Sequence, residues 1–101
     1  MNINLKWPQI GFNGKVTVAK FAYNNNVPAL VLYDEEGEEL VRASSNIPEH
    51  ATKLKPNQTF LKVWSENEGL MEALQEAGIV GKPLFWVPTE FVEAPAVDIL
   101  V

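Results

Sequence analysis

One stretch of this chain carries a helix with both ends marked. It runs Trp64-Ser65-Glu66-Asn67-Glu68-Gly69-Leu70-Met71-Glu72-Ala73-Leu74-Gln75-Glu76-Ala77-Gly78-Ile79. Ser65 followed three residues later by Glu68 is a capping box, in which hydroxyl and carboxylate satisfy each other's main-chain amides. Such a cap contributes about 1 kcal/mol. Glu66 and Glu68 also sit where the helix dipole favours acids. Leu70, Leu74 and Ala77 recur at helical spacing, widened by Met71 and Ala73. Glu68, Glu72 and Glu76 form a solvated row on another face. Gly78 suits the left-handed position beyond a helix, and Ile79 can fold back onto Leu74. Gly69 has two readings: close approach by a neighbour such as a strand backbone, or a softened first turn. A lone amphipathic helix over about residues 66–77 cannot bury its own stripe and needs a sheet to lie on.

The rest of the chain supplies strands. Ile3, Leu5 and Trp7 alternate with Asn4 and Lys6, predicting a half-buried strand that stops at Pro8. Gln9 to Gly14 reads as a hairpin turn, and Lys15 to Ala19 as its second strand. Alternation loses phase at Lys20-Phe21-Ala22-Tyr23, which predicts a bulge or the strand's end. Asn24-Asn25-Asn26 is a loop. Pro28 to Tyr33 is nearly all apolar, as for a central strand covered on both faces. Asp34-Glu35-Glu36-Gly37-Glu38 turns the chain, and Glu39 to Ser45 returns as the next strand. Glu49 to Gln58 is an irregular crossing, and Thr59 to Trp64 a strand running into the helix. Leu84 to Val87 and Phe91 to Ile99 supply the last strands. Pro88 and Pro95 cannot donate to a ladder, which places these strands at an edge or kinks them. The expected fold is α+β: a largely antiparallel sheet of five to seven strands packed against one helix. At 101 residues the chain is expected to form one domain, residues 1–101.

Charge and chemistry narrow the function. The net charge is −5, and there is no cysteine. Disulfides, thiolate nucleophiles and cysteine metal sites are therefore excluded. The opening Met1-Asn2-Ile3-Asn4-Leu5-Lys6 lacks a basic segment followed by an apolar run, so no signal peptide is expected. Ala29 to Tyr33, the longest apolar run, is too short to cross a bilayer. An acidic chain is a poor binder of phosphate backbones, so direct nucleic-acid binding is not expected. His50, the single histidine, reads as an exposed loop residue with no serine placed beside it. The Asp34–Glu39 cluster lacks the alternation of a calcium loop, and no glycine-rich phosphate loop occurs. No cofactor, no metal and no enzymatic activity are expected, although two facing carboxylates would reopen that question. Trp7, Trp64 and Trp86 with Phe12, Phe21, Phe60, Phe85 and Phe91 exceed what a thin core needs. Leu84-Phe85-Trp86-Val87 puts large apolar groups on both faces of a peripheral strand. An aromatic exposed beside acids has the anatomy of a protein–protein anchor, and the alternative is that all three tryptophans are core.

Several stretches together resemble a known family. They are Tyr23-Asn24-Asn25-Asn26, Leu30-Val31-Leu32-Tyr33-Asp34 with Gly37-Glu38, Asn46-Ile47-Pro48, Ser65-Glu66-Asn67-Glu68-Gly69-Leu70 with Glu72-Ala73-Leu74 and Ala77-Gly78-Ile79, and Val87-Pro88 with Phe91-Val92-Glu93. In this order they resemble an uncharacterised family of small proteins of bacteria, phages and mobile elements, known only as a domain of unknown function. The likeness spans about residues 15–99, and Ser65-Glu66-Asn67-Glu68-Gly69 is its most specific part. The family carries no catalytic residues to transfer. The resemblance implies a bacterial cytoplasmic setting and an inhibitor of a host system, of the anti-CRISPR or anti-restriction kind. Its expected partner is a host protein, a basic nucleic-acid-binding protein or nuclease. The expected surface is an acidic patch, Asp34, Glu35, Glu36, Glu38 and Glu39 joined by Glu68, Glu72 and Glu76, acting with an aromatic anchor, Trp86. The alternative is a structural or accessory protein of a phage or mobile element that self-associates through edge strands or exposed aromatics. A monomer or a small homo-oligomer fits these readings.

Overall fold

A computed structural model describes residues 2–90 and 92–101. The strand expected from Phe91, and that residue's place among the aromatics, fall outside the described residues, as does Met1. Among the described residues eight strands, largely antiparallel, form two sheets of four with one α-helix, where a single sheet of five to seven strands was expected. The first sheet is a meander of β1 (Asn2–Trp7), β2 (Phe12–Ala22), β3 (Pro28–Tyr33) and β4 (Glu39–Arg42). The second has the order β5-β6-β8-β7, built from β5 (Ser44–Ser45), β6 (Gln58–Leu61), β7 (Phe85–Pro88) and β8 (Glu93–Asp98).

Ala43 explains the division. It is fully buried between β4 and β5. Its N–H donates to Leu30 O at 2.9 Å in the first sheet, and its carbonyl accepts from Lys62 N at 2.8 Å beside the second. The run Glu39 to Ser45 therefore changes partners at one residue. Period-2 alternation records which face a residue occupies, not which strand it pairs with.

The β1–β2 connection is tighter than expected. A 3-10 turn, Pro8–Ile10, is closed by Gly11 at φ 69°, and β2 begins at Phe12, opposite Trp7. At its other end β2 continues through Ala22. The expected β3–β4 hairpin is present, with a register irregularity at Leu32/Tyr33. β3 is an interior strand buried from Ala29 to Leu32. The crossing segment contains a 3-10 helix, Pro48–Lys53. Pro88 lies in edge strand β7, as its missing donor requires. Pro95 is instead in β8, an interior strand. It is tolerated because the β6 ladder ends at the pair Phe60–Ala96, one residue short of it.

The main core lies between the inner face of the first sheet and the helix. Leu5, Trp7, Val16, Leu30 and Leu32 pack there with Leu70, Leu74 and Ile79, and with Leu61 and Val97 from the second sheet. Full burial of a leucine side chain contributes about 1.5–3 kcal/mol relative to exposure. Alternate residues of β6 and β8, Phe60 and Ala96, turn to a second cluster with Ile47, Val87 and Ala94, where Phe60 and Phe85 meet edge to face at 6.2 Å.

The helix is shorter than its sequence predicts. α1 spans Leu70–Glu76, preceded by a separate 3-10 turn, Ser65–Asn67. No side-chain cap forms at either, so the Ser65–Glu68 box is not made. Ser65 at φ 59° and Gly69 at φ 80° both break helical continuity. Tertiary hydrogen bonds hold the intervening residues. The buried Trp7 indole Nε1 donates to Glu68 O at 2.9 Å, and buried Asn67 donates through Nδ2 to Arg42 O at 3.0 Å. Leaving such buried groups unpaired costs about 1–3 kcal/mol each, more than the roughly 1 kcal/mol of a cap. Gly69 answers its two readings with a close approach: a Cβ there would run into the Gln9 side chain rather than a strand backbone. The C-terminal stop is as expected. Gly78 stands at φ 76°, its N–H bonds Gln75 O at 3.0 Å, and Ile79 N bonds Leu74 O at 2.9 Å, the Schellman pattern. Among the described residues, no helix is long and apolar enough to cross a membrane.

Candidate partner-binding surface

The acids of the β3–β4 turn do not play one role. Asp34 faces its own turn: Oδ1 accepts from Glu36 N and Glu38 N, each at 3.0 Å, and its main chain bonds Glu38 O and Gly37 N. Gly37 at φ 82° completes the reversal. This is an Asx-turn that satisfies amides no strand can reach. Glu35, Glu36 and Glu38 are exposed at the tip. Glu39 leans to Arg42 at 3.7 Å, with both side chains about half exposed (48% and 60%), so the pair contributes little. The turn borders an open hollow of ≈ 470 Å³ on the face of the first sheet, lined by Tyr33, Asp34 and Glu35 with Asn2, Lys15 and Thr17.

The helical row is broken. Glu68 precedes Gly69 and has extended rather than helical torsions (φ −56°, ψ 132°), so it is out of register with Glu72 and Glu76. Those two are exposed on α1, above hollows of ≈ 250 Å³ that Lys6 of β1 also lines. Lys15 and Lys6 thus each intrude beside one acidic group. Glu66, in the 3-10 turn, has a displaced titration. The Lys62 ammonium bonded to it, then its own amide and the Ser65 hydroxyl, lower its carboxyl to about 2.

The tryptophans divide. Trp7 is buried, and Trp64 is half-buried against the second cluster. Trp86 is 46% exposed. β7 turns Phe85 and Val87 inward and Trp86 outward, beside Pro95 across the ladder. Leu84, two residues back and 49% exposed, extends this apolar edge. Trp86 lies on the outermost strand of the second sheet and the acidic turn at the end of the first. Among the described residues no hydrogen bond or ion pair joins them.

His50 is not the exposed loop residue its neighbours predict. It sits half-buried in the 3-10 helix Pro48–Lys53, with Nδ1 buried and unpartnered. Among the described residues, no group of three or more histidine, aspartate or glutamate side chains could hold a metal ion. Sequence reasoning did not single out Phe21, 54% exposed near the end of β2, as a surface group. The aromatic surplus, which includes Phe21, and the lost alternation around Lys20 were its signals. The chain matches no family model, no curated protein and no solved structure.

Proposed function

We propose that this chain is a non-enzymatic protein-binding protein. In this reading it is a phage or mobile-element inhibitor of a host defence or nucleic-acid-handling system, of the anti-CRISPR or anti-restriction type, at work in the bacterial cytoplasm. The observation that carries the binding reading is Trp86, held outward on edge strand β7 with Leu84 beside it. A large aromatic with a rigid backing at a sheet edge is the kind of group that dominates interface energetics. The free carboxylates Glu35, Glu36 and Glu38 support a basic partner, because exposed acids steer diffusional encounter and impose salt dependence. Asp34 belongs to the turn rather than the interface, and Glu72 and Glu76 form a second, smaller acidic site. The inhibitor assignment itself rests on the family resemblance.

The test is affinity capture from a bacterial host with three proteins: the wild-type chain, Trp86→Ala, and the triple change of Glu35, Glu36 and Glu38 to Gln. The expected result is a stoichiometric basic nucleic-acid-binding protein or nuclease on the wild type. It should be lost at high salt and from the triple variant, and weakened by Trp86→Ala. A partner retained equally by all three proteins would refute the proposed surface.

A further inference from the structure

Most strand edges of this fold are guarded. α1 lies against β1. The outward carbonyl of Arg42 on β4 is taken by Asn67 Nδ2. β5 is two residues long, and β7 carries Pro88. Helices, short strands and prolines are the usual means of blocking edge-to-edge pairing. The exception is the far half of β2. Among the described residues β1 accompanies β2 as far as the pair Asn2–Thr17, and none of them forms a strand that flanks Lys20, Phe21 and Ala22 on that side. All three are exposed.

The main-chain groups of this segment point at the open edge. Lys20 stands opposite Leu30, whose N–H goes to Ser44 Oγ and whose carbonyl accepts from Ala43 N, each at 2.9 Å. Both bonds lie on the side away from β2, so Lys20 and Leu30 form a non-hydrogen-bonded pair and Lys20 turns its N–H and C=O outward. Ala22 stands opposite Pro28, which has no N–H and whose carbonyl accepts from Thr59 Oγ1 at 2.7 Å. Ala22 therefore turns outward as well, and the Tyr23 N to Val27 O bond at 2.9 Å keeps the alternation. The edge offers a donor and an acceptor at Lys20, the same again at Ala22, and the Phe21 ring between them.

We infer that this edge pairs antiparallel with the same edge of a second copy of this chain, about a two-fold axis at Phe21. In that register each Lys20 exchanges both main-chain bonds with the other copy's Ala22. The two Phe21 residues face each other in a non-hydrogen-bonded pair, where side chains come closest and aromatic pairs are favoured. Centring the axis on Lys20 would set two ammonium groups opposite one another, which like charges disfavour. Centring it on Phe21 sets each Lys20 against an alanine, with its Nζ already held by the Val101 main-chain oxygen at 2.8 Å. The pairing joins the two copies of the first sheet into one continuous sheet. It uses neither Trp86 nor the acidic turn, so it stands or falls separately from the partner-binding proposal.

Sedimentation velocity of the full chain over a concentration series tests this. The expected result is a reversible monomer–dimer equilibrium. Ala22→Pro removes a donor from the open edge and none from the β3 ladder; Phe21→Lys sets like charges opposite each other. Each should weaken the dimer by about tenfold or more while far-UV circular dichroism is unchanged. Phe21→Lys decides the matter if the proline variant does not fold. The chain has no cysteine of its own, so Phe21→Cys reports the register directly. Under glutathione disulfide it should crosslink to a dimer faster than Lys82→Cys. A wild type that is monomeric throughout the series, a dimer insensitive to Phe21→Lys, or equal crosslinking from both cysteines would overturn the inference.

Discussion

Trp7 and Glu68, 61 residues apart in the chain, are joined by a 2.9 Å hydrogen bond from the buried indole Nε1 to the main-chain carbonyl. The bond fastens the approach to the helix onto the first strand. It also accounts for the missing capping box, because Glu68 cannot be in the first helical turn and present its carbonyl to Trp7.

Replacing Trp7 by Phe keeps most of the buried ring but strands the Glu68 carbonyl. The expected loss is about 1–3 kcal/mol by urea denaturation, from the unpaired acceptor together with the smaller ring. An unchanged midpoint would show that the bond contributes nothing.

Gly69 carries two constraints that can be separated. At φ 80° an alanine is strained by about 1–2 kcal/mol. Its Cβ would also displace the Gln9 side chain. Gly69→Ala should therefore cost more in the wild type than in a Gln9→Ala background, where only the backbone strain remains. Equal costs in the two backgrounds would remove Gln9 from the account.

Asp34 and Ser65 should exchange the roles that local patterns suggest. Asp34→Ala removes the acceptor of two turn amides and should cost about 1 kcal/mol. Ser65→Ala should cost less than the roughly 1 kcal/mol of a capping serine, because no side-chain cap is formed. Denaturant midpoints of the two variants decide this, and the reverse ranking would restore the capping box.

Glu66 sets a pH signature. Its carboxyl is lowered from 4.5 to about 2 by Lys62 first, then by its own amide and Ser65. A depressed carboxyl stabilises the folded state fully above its unfolded value, and that contribution is lost as pH falls from about 4.5 towards about 2. The Glu66 side chain is 65% exposed, which keeps the effect small in energy but leaves it visible spectroscopically. A carbon-detected NMR titration should place the Glu66 midpoint well below its ordinary value of 4.5, and Lys62→Met should raise it. A midpoint unmoved by that change would refute the pairing.

Trp86→Ala should leave the fold intact, with a stability loss of no more than about 1 kcal/mol, since nearly half of the side chain is in solvent. A cooperative thermal transition near that of the wild type is the control that makes any loss of binding interpretable.

Residue type and spacing suffice for the elements whose causes are local. The alternation of Ile3, Leu5 and Trp7, the apolar run through Leu30 to Leu32, the Gly37 turn and the Gly78 helix stop all stand as residue type and spacing require. The acids and Trp86 were legible as surface candidates because charge and a flanking proline are local signals. The tertiary structure alone decided what depends on distant partners. Ala43 sends one apparent strand into two sheets because Leu30 and Lys62 reach it from opposite sides. Trp7 and Asn67 shorten the helix because a buried donor outweighs an exposed cap. Asp34 turns one carboxylate oxygen to the amides of its own turn, and Lys20 and Ala22 face an open edge because their opposite residues bond elsewhere. In each case the outcome rests on a hydrogen bond whose partner is chosen by the packed chain, and no window of sequence contains that choice.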